Sequence, residues 1–148
     1  ATLIANLNKL KLYNSLKLYL ENNFPYLGIC VGMQILSDVG YEDKTTKGLG
    51  IIHGEIKKFE KKNLIIPHMG WNSLKVKKDD KILTSTFNAK DFYFVHSYRL
   101  QSDENINQSY CNYKEDFIAS FEQSNIIGTQ FHPEFSQTNG LKVLKNFL

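Results

Sequence analysis

Residues 25–34 read PYLGICVGMQ, and the reading of this stretch decides the fold. Tyr26 to Ile29 is a short apolar run suited to one buried strand. Pro25 ahead of it ends the preceding segment, because the residue before a proline is pushed out of the helical region. The run ends at the Gly28/Gly32 pair, and Met33 to Val39 predicts a helix stopped by Gly40. Strand, sharp turn and helix in that order are the building unit of an α/β sheet. If Cys30 were there only to pack, the flanking glycines would be wasted, since each gives up side-chain contacts and loosens the unfolded chain. Gly28-Ile29-Cys30-Val31-Gly32 has instead the form G-x-C-x-G, the thiol counterpart of the G-x-S-x-G elbow that holds a nucleophile on a strained turn. The amides opening the next helix are then expected to lower the thiol pKa. A buried cysteine in a glycine-rich turn is the plainer alternative.

Upstream, Leu3, Leu7, Leu10, Tyr13, Leu16 and Leu20 recur at three- and four-residue steps, which predicts one amphipathic helix ending near residues 21–23. Downstream from Gly48 the texture changes to short β-like segments, IIHGEIKKF (51–59), NLIIPHMGWNSLKV (63–76), DFYFVHSYRL (91–100) and SYCNYKEDFIASFEQSNIIGTQFHPE (109–134). The closing TNGLKVLKNFL (138–148) predicts a helix with Leu141, Leu144, Phe147 and Leu148 on its inner face. With no repeat, linker or low-complexity tract, residues 1–148 read as one α/β domain with a β-rich C-terminal half.

The chain of 148 residues is long enough to bury a core, and its 42% hydrophobic and 22% charged content is that of a globular protein. Eighteen basic and fifteen acidic side chains leave +3, and the lysines are scattered, which argues against nucleic-acid or membrane binding. Cys30 and Cys111 stand in dissimilar contexts, so neither a disulfide framework nor a metal site is indicated, and no cofactor is expected. No apolar run has bilayer length and the opening residues do not read as a signal peptide, so a reducing cytoplasm is expected.

A cysteine nucleophile needs a base. GTQFHPEFS (128–136) offers His132, with Glu134 two residues on and Pro133 keeping the chain extended between them. Residues i and i+2 of an extended segment share a face, so Glu134 can orient one imidazole nitrogen while the other serves the cysteine. Alone, H-P-E is more often a surface pair; both motifs together are stronger. His53 is expected to point to solvent. His68 in PHMGWN, with the sole tryptophan, suggests an exposed contact surface. Ser97 lacks an elbow, which excludes a serine nucleophile, and the dispersed histidines disfavour metal ligation. Cys111 reads as a half-buried packing residue.

LGICVGMQ (27–34), KGLGII (47–52), PHMGWN (67–72), FYFVHSY (92–98) and the terminal GTQFHPEFSQTNGLKVLKNFL together resemble the class I glutamine amidotransferases, most closely the glutaminase subunits that serve imidazole glycerol phosphate synthesis. The resemblance implies a flavodoxin-like sheet flanked by helices. It also implies Cys30 as nucleophile on the glutamine side-chain amide, His132 as proton carrier, Glu134 as its support and the Val31 N–H as oxyanion donor. Gln34 and Glu42, with the strand around His96, Ser97 and Tyr98, would border the bound glutamine. His68, Met69, Trp71 and Asn72 would face a partner, a (β/α)₈ cyclase that takes up the ammonia. Family members carry an additional βα portion and a PGVG-like oxyanion loop ahead of the first helix. The stretch beginning at Ala1 is therefore expected to be incomplete at its N-terminus and impaired in glutamine hydrolysis unless that part is supplied. A glutaminase feeding a sugar amidotransferase of surface-polysaccharide synthesis and a Cys-His-Glu thiol hydrolase are the alternatives.

Overall fold

The computed structural model describes residues 1–76, 81–83 and 91–148. The predicted N-terminal helix is two helices, α1 (Thr2–Lys9) and α2 (Tyr13–Glu21). Between them Lys11 takes φ 58°, and the amides of Leu12 and Lys11 close on the carbonyls of Leu7 and Asn8 at 2.8 and 3.0 Å. This pair of bonds satisfies the last carbonyls of α1 and turns the chain. The leucine spacing runs on through the turn, so periodicity alone does not reveal the break.

Strand β1 (Tyr26–Ile29) follows as predicted, but the next helix, α3, covers only Val31–Gln34. Its continuation is cut off by tertiary bonds. The carbonyls of Ile35, Leu36 and Asp38 accept from Leu49, Ile51, Ile52 and Gly48 at 2.8–3.0 Å, so a returning segment takes the groups a longer helix would use. A Cβ on Gly48 would lie 2.0 Å from the Ser37 carbonyl oxygen, which makes glycine obligatory at that approach. Val39–Gly40 is accordingly a strand, β2, followed by β3 (Thr46–Lys47) and β4 (Glu55–Lys58).

The remaining elements are β5 (His68–Lys75), β6 (Asp91–His96), β7 (Tyr98–Gln101), β8 (Asn107–Asn112), β9 (Asp116–Gln123), β10 (Ile126–Thr129) and α4 (Gln137–Phe147). A 3₁₀ turn, Pro133–Phe135, lies between β10 and α4. The single segment predicted over 91–100 divides at Ser97. Strand β6 joins a six-stranded sheet of order β1-β10-β9-β8-β5-β6, and β7 a four-stranded sheet of order β3-β2-β4-β7. The large sheet curls until its ends meet: residues following β1 and β10 touch carbonyls of edge strand β6, with Cys30 Sγ 3.9 Å from Val95 O and His132 N 2.9 Å from Tyr93 O.

Central strand β9 is buried on both faces and carries a bulge. Ser109 pairs with Ser120 and Tyr110 with Ile118, leaving Ala119 without a register partner on β8. The extra residue reverses the in-out alternation. Phe117 and Ala119 therefore face a core of Leu74, Phe92, Phe94, Phe131 and Val143, while Ile118 and Phe121 face a second core with Leu20, Met33, Leu36 and Ile56. Helix α4 seals the first of these with Gly140, Val143 and Phe147. Leu141 and Leu148, predicted inside, are exposed, because Gly140 lies against Pro133 closely enough that an added Cβ would sit 1.7 Å from its carbonyl, which sets the rotation of the helix. Cys111 is fully buried rather than half-buried.

Candidate active site

Cys30 stands between β1 and α3 with φ 50° and ψ −106°, a conformation that L-residues avoid. Its amide donates to Thr129 O at 2.7 Å and its carbonyl accepts from Met33 and Gln34 at 3.1 Å, so the strained backbone is held from both sides. Of the two flanking glycines one is sterically required. A Cβ on Gly28 would lie 2.6–2.8 Å from the backbone of Gly32 and Met33, whereas on Gly32 it would meet only the Tyr26 hydroxyl at 3.5 Å.

The thiol pKa is raised, contrary to the expectation from sequence. Burial is the largest cause, and the carboxylates of Glu134 and Glu42 push the same way; the Val31 N–H and the Gln130 amide oppose them. Helix α3 is a single turn, so few peptide dipoles are aligned at the sulfur and desolvation prevails. The surroundings of the sulfur therefore favour the thiol over the thiolate.

His132 follows β10, which runs parallel to β1 in the register Ile29 to Thr129, so Cys30 and His132 leave the same end of neighbouring parallel strands. Their contacts on β6, at Val95 and Tyr93, are two residues apart, about 7 Å along the strand. His132 Nδ1 is 2.7 Å from Glu134 Oε1. A carboxylate only accepts, so Nδ1 carries a proton, and Nε2 is buried and without a hydrogen-bond partner.

A single cleft brings together Val31, Gln34, Ser37, Glu42 and Thr46. Glu42 is exposed there, but the Gln34 amide is engaged, its Nε2 donating at 3.0 Å both to Tyr98 O and to Gln130 Oε1. His96, expected beside the substrate, is buried behind the site, and His68, expected on the contact surface, is buried as well. The reason is the two-residue period of β5 and β6. His68 and Asn72 turn inward and Met69 and Trp71 outward, while His96 follows Phe92 and Phe94 into the core. Ser97 contributes its carbonyl to Phe59 N, and Tyr98 uses its own carbonyl to hold Gln34 and His96.

The two inward histidines form a directed chain. His96 Nδ1 donates to Tyr98 O at 2.8 Å; His96 Nε2 must then accept from His68 Nδ1 at 3.1 Å, and His68 Nε2 from the Asn72 amide at 3.3 Å. Each ring is therefore neutral. Burial pushes the His68 pKa down to about 4 and that of His96 to about 3. His53 is exposed, as expected. Among the described residues no group of three or more His, Cys, Asp and Glu is arranged to hold a metal ion, and no helix is long and apolar enough to cross a membrane. Sequence reasoning missed Gln130, whose Nε2 lies 3.6 Å from Cys30 Sγ. The available signal was a polar residue two positions before His132.

A strained cysteine turn at the end of a parallel strand, with a histidine–carboxylate pair beyond the neighbouring strand, places the chain among the α/β proteins built around such an elbow. The sequence model of the glutamine amidotransferase class-I family matches residues 9–148, and the chain belongs to that family. Among its relatives, the imidazole glycerol phosphate synthase subunit HisH 1 of Campylobacter jejuni is 45% identical over 144 residues, 96% of this chain and 72% of that protein. The HisH subunit of Pelagibacter ubique is 44% identical over 130 residues, 86% of this chain and 62% of its own length. The fold is shared with the crystal structure of a glutamine amidotransferase from Thermotoga maritima, at TM-score 0.62 and 15% identity, covering 91% of this chain and 51% of that one.

Proposed function

We propose that the chain is the glutaminase part of an imidazole glycerol phosphate synthase, hydrolysing glutamine to glutamate and passing the ammonia to a cyclase partner in histidine biosynthesis. The observation that carries this reading is that a strained Cys30 and His132 leave the same end of neighbouring parallel strands, with His132 Nδ1 held by Glu134 and its Nε2 buried and unpartnered. The relatives named above point to the pathway. In the proposed reaction His132 Nε2 takes the thiol proton as Sγ bonds to the glutamine side-chain carbonyl carbon. The Val31 N–H stabilises the oxyanion, and the C–N bond breaks as the imidazolium gives its proton to the leaving nitrogen. Water, deprotonated by His132, then cleaves the thioester, releasing glutamate and restoring the thiol. Glu42, ion-paired at 3.7 Å with the Ala1 ammonium, lines the cleft beside Val31 and is assigned to the substrate's α-amino group. Both cysteines are free, in keeping with a reducing cytoplasm.

The reading is tested by labelling. A glutamine analogue carrying an electrophile at the amide carbon is expected to modify Cys30 stoichiometrically and to spare buried Cys111, as read by peptide mass spectrometry. Protection by glutamine is expected, and modification indifferent to glutamine would defeat the reading.

Ammonia released into water at neutral pH becomes ammonium, which is not a nucleophile, so the activity calls for a docked synthase. The surface proposed for it is aromatic and adjoins the site. Trp71 meets Tyr93 edge-on at 6.0 Å, Tyr93 meets Phe135 at 6.1 Å, and Phe135 lies 5.6 Å from the His132 ring. Trp71, Met69 and Phe135 are 49%, 61% and 59% exposed. Exposed aromatics of this kind anchor interfaces. Trp71→Ala is expected to weaken partner binding at least about 30-fold, roughly 2 kcal/mol, with little change in thermal stability. Titration calorimetry against the cyclase reads this, and unchanged affinity removes Trp71 from the interface.

A further inference from the structure

Gln130 is fully buried, and its position is imposed from three directions. Its backbone amide donates to the carbonyl of Ala119, the bulged residue of β9, at 2.8 Å. Its Oε1 accepts from Gln34 Nε2 at 3.0 Å, and its Nε2 points to Cys30 Sγ at 3.6 Å. Which end of the amide meets the sulfur is not free. Tyr98 O can only accept, so the Gln34 end facing it is the NH₂. That same nitrogen faces Gln130, which must answer with its oxygen and turn its own NH₂ toward the sulfur. Tyr98 O is fixed in turn by His96 Nδ1, and His96 by His68 and Asn72. The order runs without a break from the inner face of β5 to the nucleophile.

We propose that Gln130 is a further catalytic residue of this site, an amide donor held toward Cys30 Sγ by the buried chain Asn72–His68–His96–Tyr98 O–Gln34, and that Gln34 acts through it as a positioning residue. The inference rests on Cys30 being the nucleophile. A donor aimed at sulfur favours the thiolate over the thiol and holds Sγ beside β6. The charged groups acting on the sulfur are the carboxylate of Glu134 from the 3₁₀ turn and that of Glu42 from the loop after β2, and the titratable His132 leaves the same end of the neighbouring strand. Both carboxylates oppose ionisation, so a neutral donor has a definite task. Gln130 forms no part of either sequence motif, and only the fold brings it to the sulfur.

The experiment is the pH dependence of Cys30 alkylation by iodoacetamide in the intact protein, with and without its partner, read at the Cys30 and Cys111 peptides. It reports the thiol directly and needs no glutamine turnover. Gln130→Met keeps the side-chain length and removes the donor. Its alkylation midpoint is expected to rise by about one pH unit, a roughly tenfold slower reaction at neutral pH. Gln34→Met, which does not touch the sulfur, is expected to shift the midpoint the same way by a smaller amount, because the Gln130 amide is then free to turn. Labelling of Cys111 identifies a variant that has not folded. Should Gln130→Met be one, Gln34→Met decides alone. A folded variant with the wild-type profile overturns the proposal. Failure of the wild-type complex to hydrolyse glutamine would instead overturn the functional reading and leave the thiol titration standing.

Discussion

Replacing His132 by alanine is expected to lower kcat for glutamine hydrolysis by about 10⁴-fold or more in the assembled synthase, with a much smaller change in KM. The size follows from the state of Cys30. Were the thiolate already formed at rest, the histidine would be needed mainly to protonate the leaving nitrogen, and part of the rate would survive its loss. Burial and two nearby carboxylates instead raise the thiol pKa, so in the proposed reaction attack and expulsion both call on the imidazole. Glu134→Gln should cost less, on the order of 10²-fold. The Glu134 side chain is 43% exposed, so water can replace part of its orienting role at Nδ1. Steady-state glutamate release in the presence of the cyclase measures both. A His132→Ala enzyme within tenfold of wild type would show that another group removes the proton.

The second large effect is on stability in acid. His68 and His96 are neutral donors and acceptors in a closed chain, and their pKa values of about 4 and about 3 lie below the ordinary histidine value of 6.5. The sign follows directly: below pH 6.5 the unfolded chain binds protons that the folded chain refuses, so stability is present above that pH and is lost as pH falls toward 4 and 3. Each histidine removes up to about 1.4 kcal/mol per pH unit in that window. Against a total of roughly 5 to 15 kcal/mol, the pair alone takes away a large share by pH 4 to 5. Protonation also breaks the chain, because an imidazolium cannot accept from its neighbour. Urea unfolding at a series of pH values should show stability falling steeply between pH 6.5 and 4.5, and His96→Gln should remove about one histidine's portion of that slope. Equal stability at pH 7 and pH 5 would defeat the assignment of both rings as neutral.

The parts of the site legible in the sequence are those built from neighbouring residues. G-x-C-x-G and H-P-E each span five residues or fewer, and both sit on tight local turns, although Pro133 and Glu134 form a 3₁₀ turn where the sequence predicts an extended segment. Gly28 is readable for the same reason, since the steric conflict it avoids is with Gly32, four residues on. The less legible features depend on distant groups. The helix expected over 33–39 ends early because residues 48–52 capture its carbonyls, and the N-terminal helix divides because a cap satisfies α1 without interrupting the leucine spacing. PHMGWN reads as surface throughout, but a strand sends alternate residues to opposite faces, so His68 goes in while Met69 and Trp71 go out.

The order of residues by itself determined that this chain makes an α/β elbow carrying a thiol and a histidine–glutamate pair, because each follows from sterics and hydrogen bonding within a few residues. Tertiary structure alone decided that the sheet curls to bring Cys30 and His132 to one edge strand, that a bulge at Ala119 sets Gln130 behind the sulfur, and that burial raises the thiol pKa. The physical reason is range. Backbone strain and capping act over a few residues, whereas desolvation and the direction of a buried hydrogen-bond chain depend on every group packed around an atom, wherever it lies in the chain.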